Sequence, residues 1–339
     1  MKKRVSIKSI AESLGVSTAT VSLVLSGKAA EGRVGKEISE KIRETAKSMN
    51  YLPNGLARSL RIGRSQTIGL IVADISNPFF GTLSLYIQEE AEKFGYTVII
   101  ANTNESSTKM GEMIDILKSR QVDGYIIVPT EDGDSYITQL VESNKPLVLV
   151  DRYFPNIQTN NVIIDNYRAS YDATRSLLNN GCKHICLFMY KSKLQHMIER
   201  KKGYHDALAE VNRFDEEFLF EINYANIAED IASSVKKIVS MKKTIDGIFF
   251  TTNSISIIGI KELLNHGIEI QKQIQIVCFD KSDAFDFMNI TIPYVRQPVA
   301  KMGRTSVDLL IDQITNHGDN EADLIMCKLS AKLIEYQDN

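Results

Sequence analysis

The 339-residue chain is 43% hydrophobic and 24% charged, which excludes a disordered chain, a collagen-like fibre and a small disulfide scaffold and leaves room for two or three domains. No apolar run approaches the roughly 18 residues of a membrane helix, and the basic start Met1-Lys2-Lys3-Arg4 precedes a polar helical pattern instead of a signal core; a cytoplasmic protein is expected. The net charge of −2 divides unevenly, because residues 1–64 hold 13 Lys/Arg against five Asp/Glu, net +8, and the remainder is net −10, so a polyanion partner is expected for the head alone.

Three helices are predicted in the head. Ile7, Ile10, Ala11 and Leu14 share one helical face, with Ser6 before them as a cap. Gly15 breaks the pattern, Ser17 offers a second cap, and Val21, Val24 and Leu25 form the apolar side of a short second helix. A third runs near 37–49, with Ile38, Ile42, Thr45, Ala46 and Met49 on one face. Two short helices around a tight glycine-containing turn, then a packing helix, make a helix-turn-helix, whose second helix enters the major groove N-terminus first. Small three-helix modules also serve as protein-binding domains, and the residues themselves separate the two readings.

The run Ser6-Ile7-Lys8-Ser9-Ile10-Ala11, then Leu14-Gly15-Val16-Ser17-Thr18-Ala19-Thr20-Val21-Ser22, resembles the DNA-binding signature of the LacI/GalR family of bacterial repressors. Asn50-Tyr51-Leu52-Pro53-Asn54 and Ala57-Arg58-Ser59-Leu60 resemble that family's linker. The resemblance implies that Thr18 and Ala19 read base edges, and that Ser6, Ser17, Thr20, Ser22 and Tyr51 touch phosphates. It also places Asn54, Ala57 and Arg58 on DNA. Two departures stand out. Leu23 replaces an Arg common in the family and cannot make a bidentate guanine contact, leaving a thymine methyl or packing as its role. The stretch Lys28–Gly35 is about two residues longer than the family's usual loop, with Gly35 in place of a Ser cap.

Residues 54–62 form the hinge. Nine residues are too few for an isolated helix, which needs roughly 12–15, and Gly55 costs about 1 kcal/mol more. The segment is expected to be helical only on DNA. The resemblance implies paired hinge helices in the minor groove, with Leu60 as the wedge between base pairs. Ordinary core is the other reading of Leu60, but Arg58, Arg61 and Arg64 around it suit a groove better.

From Thr67 the chain alternates. Strands are predicted at 67–73, 96–101, 123–128, 146–151, 184–189, 246–251 and 274–279, and helices near 79–94, 108–120, 166–180, 199–211, 227–240 and 254–266. Such alternation predicts α/β layers with parallel sheets, and the length favours two lobes. The resemblance implies a type I periplasmic-binding-protein-like body with three crossovers near 164–166, 291–297 and 326–330. The expected fold class is an N-terminal all-α helix-turn-helix domain joined to that two-lobed α/β domain. The expected divisions are a head at 1–53, a hinge at 54–64 and a body at 65–339. Within the body, the N-lobe is expected at about 65–164 plus 297–327 and the C-lobe at about 166–292 plus 328–339.

The sequence holds no G-x-G-x-x-G and no Walker loop, so no nucleotide cofactor is expected. His184, His196, His205, His266 and His317 are scattered without metal spacing or a catalytic arrangement. Cys182, Cys186, Cys278 and Cys327 read as buried structural thiols. Neither a metal site nor an enzyme is expected.

Ligands of open α/β sheets bind beyond the carboxyl ends of the strands. Those ends carry Asn77, Phe79, Phe80, Asp151, Arg152, Asn253 and Asp280; Arg200 is expected to open the helix after the strand at 184–189, and Gln297 lies on a crossover. Amides, carboxylates and arginines take hydroxyl pairs, and aromatic rings face the C–H side of a sugar. The set is similar to the sugar-binding positions of ribose- and galactose-type receptors. Each residue also has a structural role open to it: Asn77 as a helix cap, Phe79 and Phe80 as lobe core, Asp151-Arg152 as an ion pair. Leu194 stands near the position of an extra arginine in purine-binding members, which disfavours a nucleobase.

The expected function is a repressor that binds palindromic double-stranded DNA as a homodimer and answers to a small molecule, a monosaccharide first. Alternatives are a protein or phosphorylated metabolite as effector, and more remotely a cytoplasmic carbohydrate-binding protein or enzyme.

Overall fold

In this computed structural model the described residues are 5–51, 63–241, 243–288, 291–316 and 324–335. The chain separates into two compact units, Met1–Ser65 and Gln66–Asn339.

The first unit holds α1 (Ile7–Leu14), α2 (Thr18–Leu25) and α3 (Lys36–Ser48). Ser6 caps α1 in a reciprocal box with Ser9, and Gly15, at φ 63°, turns the chain out of it in a conformation that favours glycine. Ile10, Ala11, Val21, Val24, Ile42 and Ala46 form the core, so each helix contributes one apolar stripe. Gly35 caps α3 without a side chain, and Ser39 Oγ bonds back to its carbonyl at 3.0 Å. Leu23 packs on the loop between α2 and α3: a Cβ added to Gly32 would lie 2.5 Å from Leu23 Cδ1.

The second unit builds one lobe, crosses to the other and returns. In the N-lobe come β1 (Thr67–Val72), α4 (Pro78–Lys93), β2 (Thr97–Asn102), α5 (Ser107–Ser119), β3 (Gly124–Ile127), α6 (Asp134–Glu142), β4 (Leu147–Val150) and β5 (Asn160–Ile164). The C-lobe follows with α7 (Asn166–Asn179), β6 (Ile185–Tyr190), α8 (Gln195–Ala209), β7 (Leu219–Ile222), α9 (Ile227–Ser240), β8 (Gly247–Phe250), α10 (Asn253–Asn265), β9 (Gln275–Phe279) and β10 (Tyr294–Arg296). The chain returns to the N-lobe for α11 (Val299–Thr315) and β11 (Met326–Leu329), and ends in the C-lobe with β12 (Lys332–Ile334).

Each lobe has a six-stranded sheet, ordered β11-β5-β4-β3-β1-β2 and β12-β10-β9-β8-β6-β7. Every pair is parallel except β10 with β12. The central strands are apolar throughout because helices cover both faces; Leu70, Ile126, Val148, Phe249 and Val277 are fully buried.

Several sequence expectations need correction. β5, β7 and α6 were not anticipated, because Asn160-Asn161 and Glu221 interrupt the apolar pattern and α6 is short. The second and third crossovers fall at 296–299 and 329–332, since β10 pairs with β9 and the whole of β11 pairs with β5. The helix after β6 starts at Gln195, so Arg200 sits in its second turn instead of opening it. Three cysteines are buried, but Cys327, on an edge strand, is half-buried. Burial raises the Cys182 thiol to about 11. Among the described residues no helix is long and apolar enough to cross a membrane, and no cluster of metal-ligating side chains occurs.

Candidate functional site

In the head, Ser17 Oγ accepts the Thr20 N–H at 3.0 Å and lies 2.8 Å from Thr20 Oγ1, which frees the start of α2 to project Thr18 and Ala19 into solvent. Ser6 is exposed at the start of α1, Ser22 is half-buried on α2, and Tyr51 packs at the edge of the head core. Asn54, Ala57, Arg58 and Leu60 lie outside the described residues.

In the body, the loops beyond the carboxyl ends of the two sheets meet. Tyr224, after β7, donates to Asp74 Oδ2, after β1, at 3.0 Å; Ser192, after β6, donates to Glu131 Oε2, after β3, at 2.8 Å. Both lobes also contribute to a buried polar cluster at these strand ends.

From the N-lobe, Asp151 and Arg152 follow β4, Asp151 at a positive φ of 68°. Arg152 is gripped at both terminal nitrogens by Glu105, each bond 2.6 Å, with Asp151 Oδ2 3.7 Å from its Nε. Its guanidinium lies 5.7 Å from the centre of the Phe80 ring. Burial opposes the Arg152 charge, but Glu105 and Asp151 outweigh it and hold it protonated. Burial raises Asp151, against the pull of Arg152 and Arg200.

From the C-lobe, Arg200 donates to Asn166 Oδ1 at 2.8 Å and to the Thr251 carbonyl at 2.6 Å, with its charge 3.6 Å above the Phe279 ring. Its helix comes this close because residue 203 is glycine; a Cβ there would meet the Tyr167 carbonyl of α7 at 2.3 Å. Burial lowers Arg200 to about 10 despite Asp151 and Asp280. Asp280, at φ 65°, accepts from Gln297 Nε2 at 3.1 and 3.0 Å, and burial raises it to about 6. His196 is buried, and burial, reinforced by Arg152 and Arg200, holds it neutral well below the usual histidine range.

The structure thus brings Asp151, Arg152, Arg200, Asp280 and Gln297 together. Asn253 is buried at the start of α10, its amide donating to the Lys281 carbonyl at 2.9 Å. Asn77 caps α4 through a 3.0 Å bond to the Phe79 N–H. Phe79 and Phe80 are buried in the N-lobe core, edge to face at 5.0 Å. Sequence reasoning missed Glu105, Asn166, His196, Glu199 and Tyr224. Glu105 was within reach, since it follows β2 as Asp151 follows β4. Asn166 opens α7, and the remaining three depend on the pitch of α8 and the pairing of β7.

A helix-turn-helix head on a two-lobed α/β body with a polar cleft defines the class: DNA-binding regulators that carry an effector domain. A family profile described as "Bacterial regulatory proteins, lacI family" matches residues 6–54, and one described as "Periplasmic binding proteins and sugar binding domain of LacI family" matches residues 65–334. The chain belongs to the LacI family of bacterial transcriptional regulators. It is 33% identical over 309 residues to a ribose operon repressor of Halalkalibacterium halodurans, covering 91% of this chain and 90% of that one. A periplasmic binding protein/LacI transcriptional regulator from Alkaliphilus metalliredigens, solved with D-xylulofuranose, superposes with a TM-score of 0.68 at 26% identity, covering 80% of this chain and 97% of the other. The Lac repressor dimer bound to operator superposes with a TM-score of 0.84 at 18% identity over 98% of both chains, a likeness of fold.

Proposed function

We propose that this regulator is a cytoplasmic, non-enzymatic repressor that binds a palindromic operator as a dimer and releases or gains it on binding an uncharged monosaccharide in the interlobe cleft. The head would read DNA through Thr18 and Ala19, with Ser6, Ser17, Thr20, Ser22 and Tyr51 on phosphates and Asn54, Ala57, Arg58 and Leu60 from the hinge. A head of net +8 supports that reading. Asp151, Arg152, Arg200, Asn253, Asp280 and Gln297 would hold the sugar. Asn77, Phe79 and Phe80 would shape the N-lobe wall.

The observation that carries the sugar reading is the balance of charge in the buried cluster. Each arginine already faces carboxylates, Arg152 with Glu105 and Asp151, Arg200 with Asp151 and Asp280. A neutral ligand with paired hydroxyls suits such a site better than an anion, because charged acceptors and planar donors bind hydroxyl pairs without a change in net charge. The relatives above, a ribose operon repressor and a regulator solved with D-xylulofuranose, agree.

A thermal-shift screen of monosaccharides identifies the ligand, since whatever binds the native state raises its melting temperature. Calorimetry then compares wild type with Asp280→Ala. The variant is expected to lose at least tenfold in sugar affinity and to bind operator without responding to sugar, as linkage requires. Unchanged affinity in Asp280→Ala would remove the cleft from the effector reading.

A further inference from the structure

Among the described residues, five buried side-chain atoms lack a hydrogen-bond partner: Arg152 Nε, Ser170 Oγ, His196 Nδ1, Glu199 Oε2 and Gln297 Oε1. Four of the five belong to the interlobe cluster or to the helix beside it, although unsatisfied buried polar atoms are rare in native proteins. Two of these, His196 and Glu199, are one helical turn apart in α8. His196 is buried close enough to Arg152 of the N-lobe and Arg200 of the C-lobe for both charges to act on it. Glu199 acts on Arg200 and on Tyr153 of the N-lobe, so it too stands where the lobes meet. Only its other oxygen is engaged, by Gln195 Nε2 at 3.2 Å.

We infer that His196 and Glu199 form a recognition subsite for an adjacent pair of effector hydroxyls and make the cleft select a free sugar over its phosphate ester. The inference rests on the reading of the cleft as a sugar site. One hydroxyl donates to Glu199 Oε2. Its neighbour pairs with His196 Nδ1, as donor or acceptor according to the imidazole tautomer. A phosphate ester in the same place meets a different field. Glu105, Asp151, Glu199 and Asp280 supply four carboxyl groups against the two guanidiniums of Arg152 and Arg200, and Glu105 already holds both terminal nitrogens of Arg152. A phosphate would face the Glu199 carboxylate, and the Arg152 guanidinium is already engaged by Glu105.

The test uses the full-length protein with D-ribose, D-xylulose and D-ribose 5-phosphate as probes, titrated calorimetrically. Wild type is expected to bind one of the free sugars at least tenfold more tightly than the phosphate. His196→Leu should lose about tenfold in sugar affinity, and His196→Asn, which keeps a hydrogen-bonding atom near the Nδ1 position, should recover most of it. Glu199→Gln should weaken the sugar and narrow the preference over phosphate, an outcome that a purely structural role would not produce. Thermal unfolding verifies that each variant is folded. If Asp280→Ala abolishes sugar binding while His196→Leu and Glu199→Gln bind sugar and phosphate as wild type does, the subsite is overturned and the cleft stands. If Asp280→Ala binds as wild type does, or none of the three probes binds wild type, both readings fall together.

Discussion

Asp280 shows how a single buried residue in the cleft ties stability to pH. It occupies a left-handed backbone position past β9, accepts two bonds from Gln297, and is raised to about 6 by burial. A carboxyl raised in the folded state favours folding when protonated. Its contribution is present below its unfolded value near 3.8 and is lost as pH climbs through about 6. The full swing is on the order of 3 kcal/mol. His196 works in the opposite direction, since a histidine held neutral by the fold costs stability as pH falls below its ordinary 6.5. Asp280→Asn isolates the first effect. Urea unfolding from pH 4 to 7 should show the unliganded variant gaining stability over wild type as pH rises, most of it between pH 4 and 6. A difference that does not change with pH would mean that Asp280 titrates near its ordinary value. If the cleft holds the proposed sugar, the gain accompanies loss of that site, the usual conflict between stability and function in a buried polar cluster.

At the scale of elements, α2 and the hinge are proposed to share the work on DNA. The Ser17 cap satisfies the first free N–H groups of α2 and leaves Thr18 and Ala19 exposed, so one local device both ends the turn and aims the helix. Leu23 is turned towards the loop at Gly32, so its side chain supports the loop between α2 and α3. The wedge proposed for Leu60 concerns residues outside those described, and its test is functional. Leu60→Ala should lower operator affinity severalfold in competition binding while leaving affinity for random DNA at low salt unchanged, because lysine and arginine contacts to phosphate persist. Equal losses on both DNAs would take Leu60 out of specific recognition.

The two lobes of the body are joined by three crossovers and by two side-chain bridges over the cleft, Tyr224 with Asp74 and Ser192 with Glu131. The bridges hold the loops of the two lobes together here, and they are expected to favour this closed arrangement over an opened one. Tyr224→Phe removes one bridge and leaves Asp74 without that donor. A hydrogen bond of about 1 kcal/mol implies roughly fivefold weaker sugar binding, through a smaller population of the closed form. Titration of the double variant with Ser192→Ala should show a further loss of similar size. An affinity unaltered in both would mean that the bridges play no part in closure.

The helix-turn-helix was legible because its signals are local: caps at Ser6 and Ser17, a left-handed Gly15, and one apolar stripe per helix, all within a few residues of each other. The α/β alternation was legible for the same reason, since strands buried on both faces read as apolar runs. β5 and β7 escaped because their places are set by pairing: Asn161 is buried beside β11, and Glu221 points outward on an edge strand. The strand-end rule found Asp151, Arg152 and Asp280 without a structure, because their position depends only on where a strand stops. Tertiary structure alone decided that Glu105 rather than Asp151 grips Arg152 and that Phe79 and Phe80 enter the core. It also brought His196 and Glu199 to the seam between lobes. Those outcomes depend on side chains far apart in sequence competing for the same buried charge or space, and such competition has no period or spacing that a sequence can display.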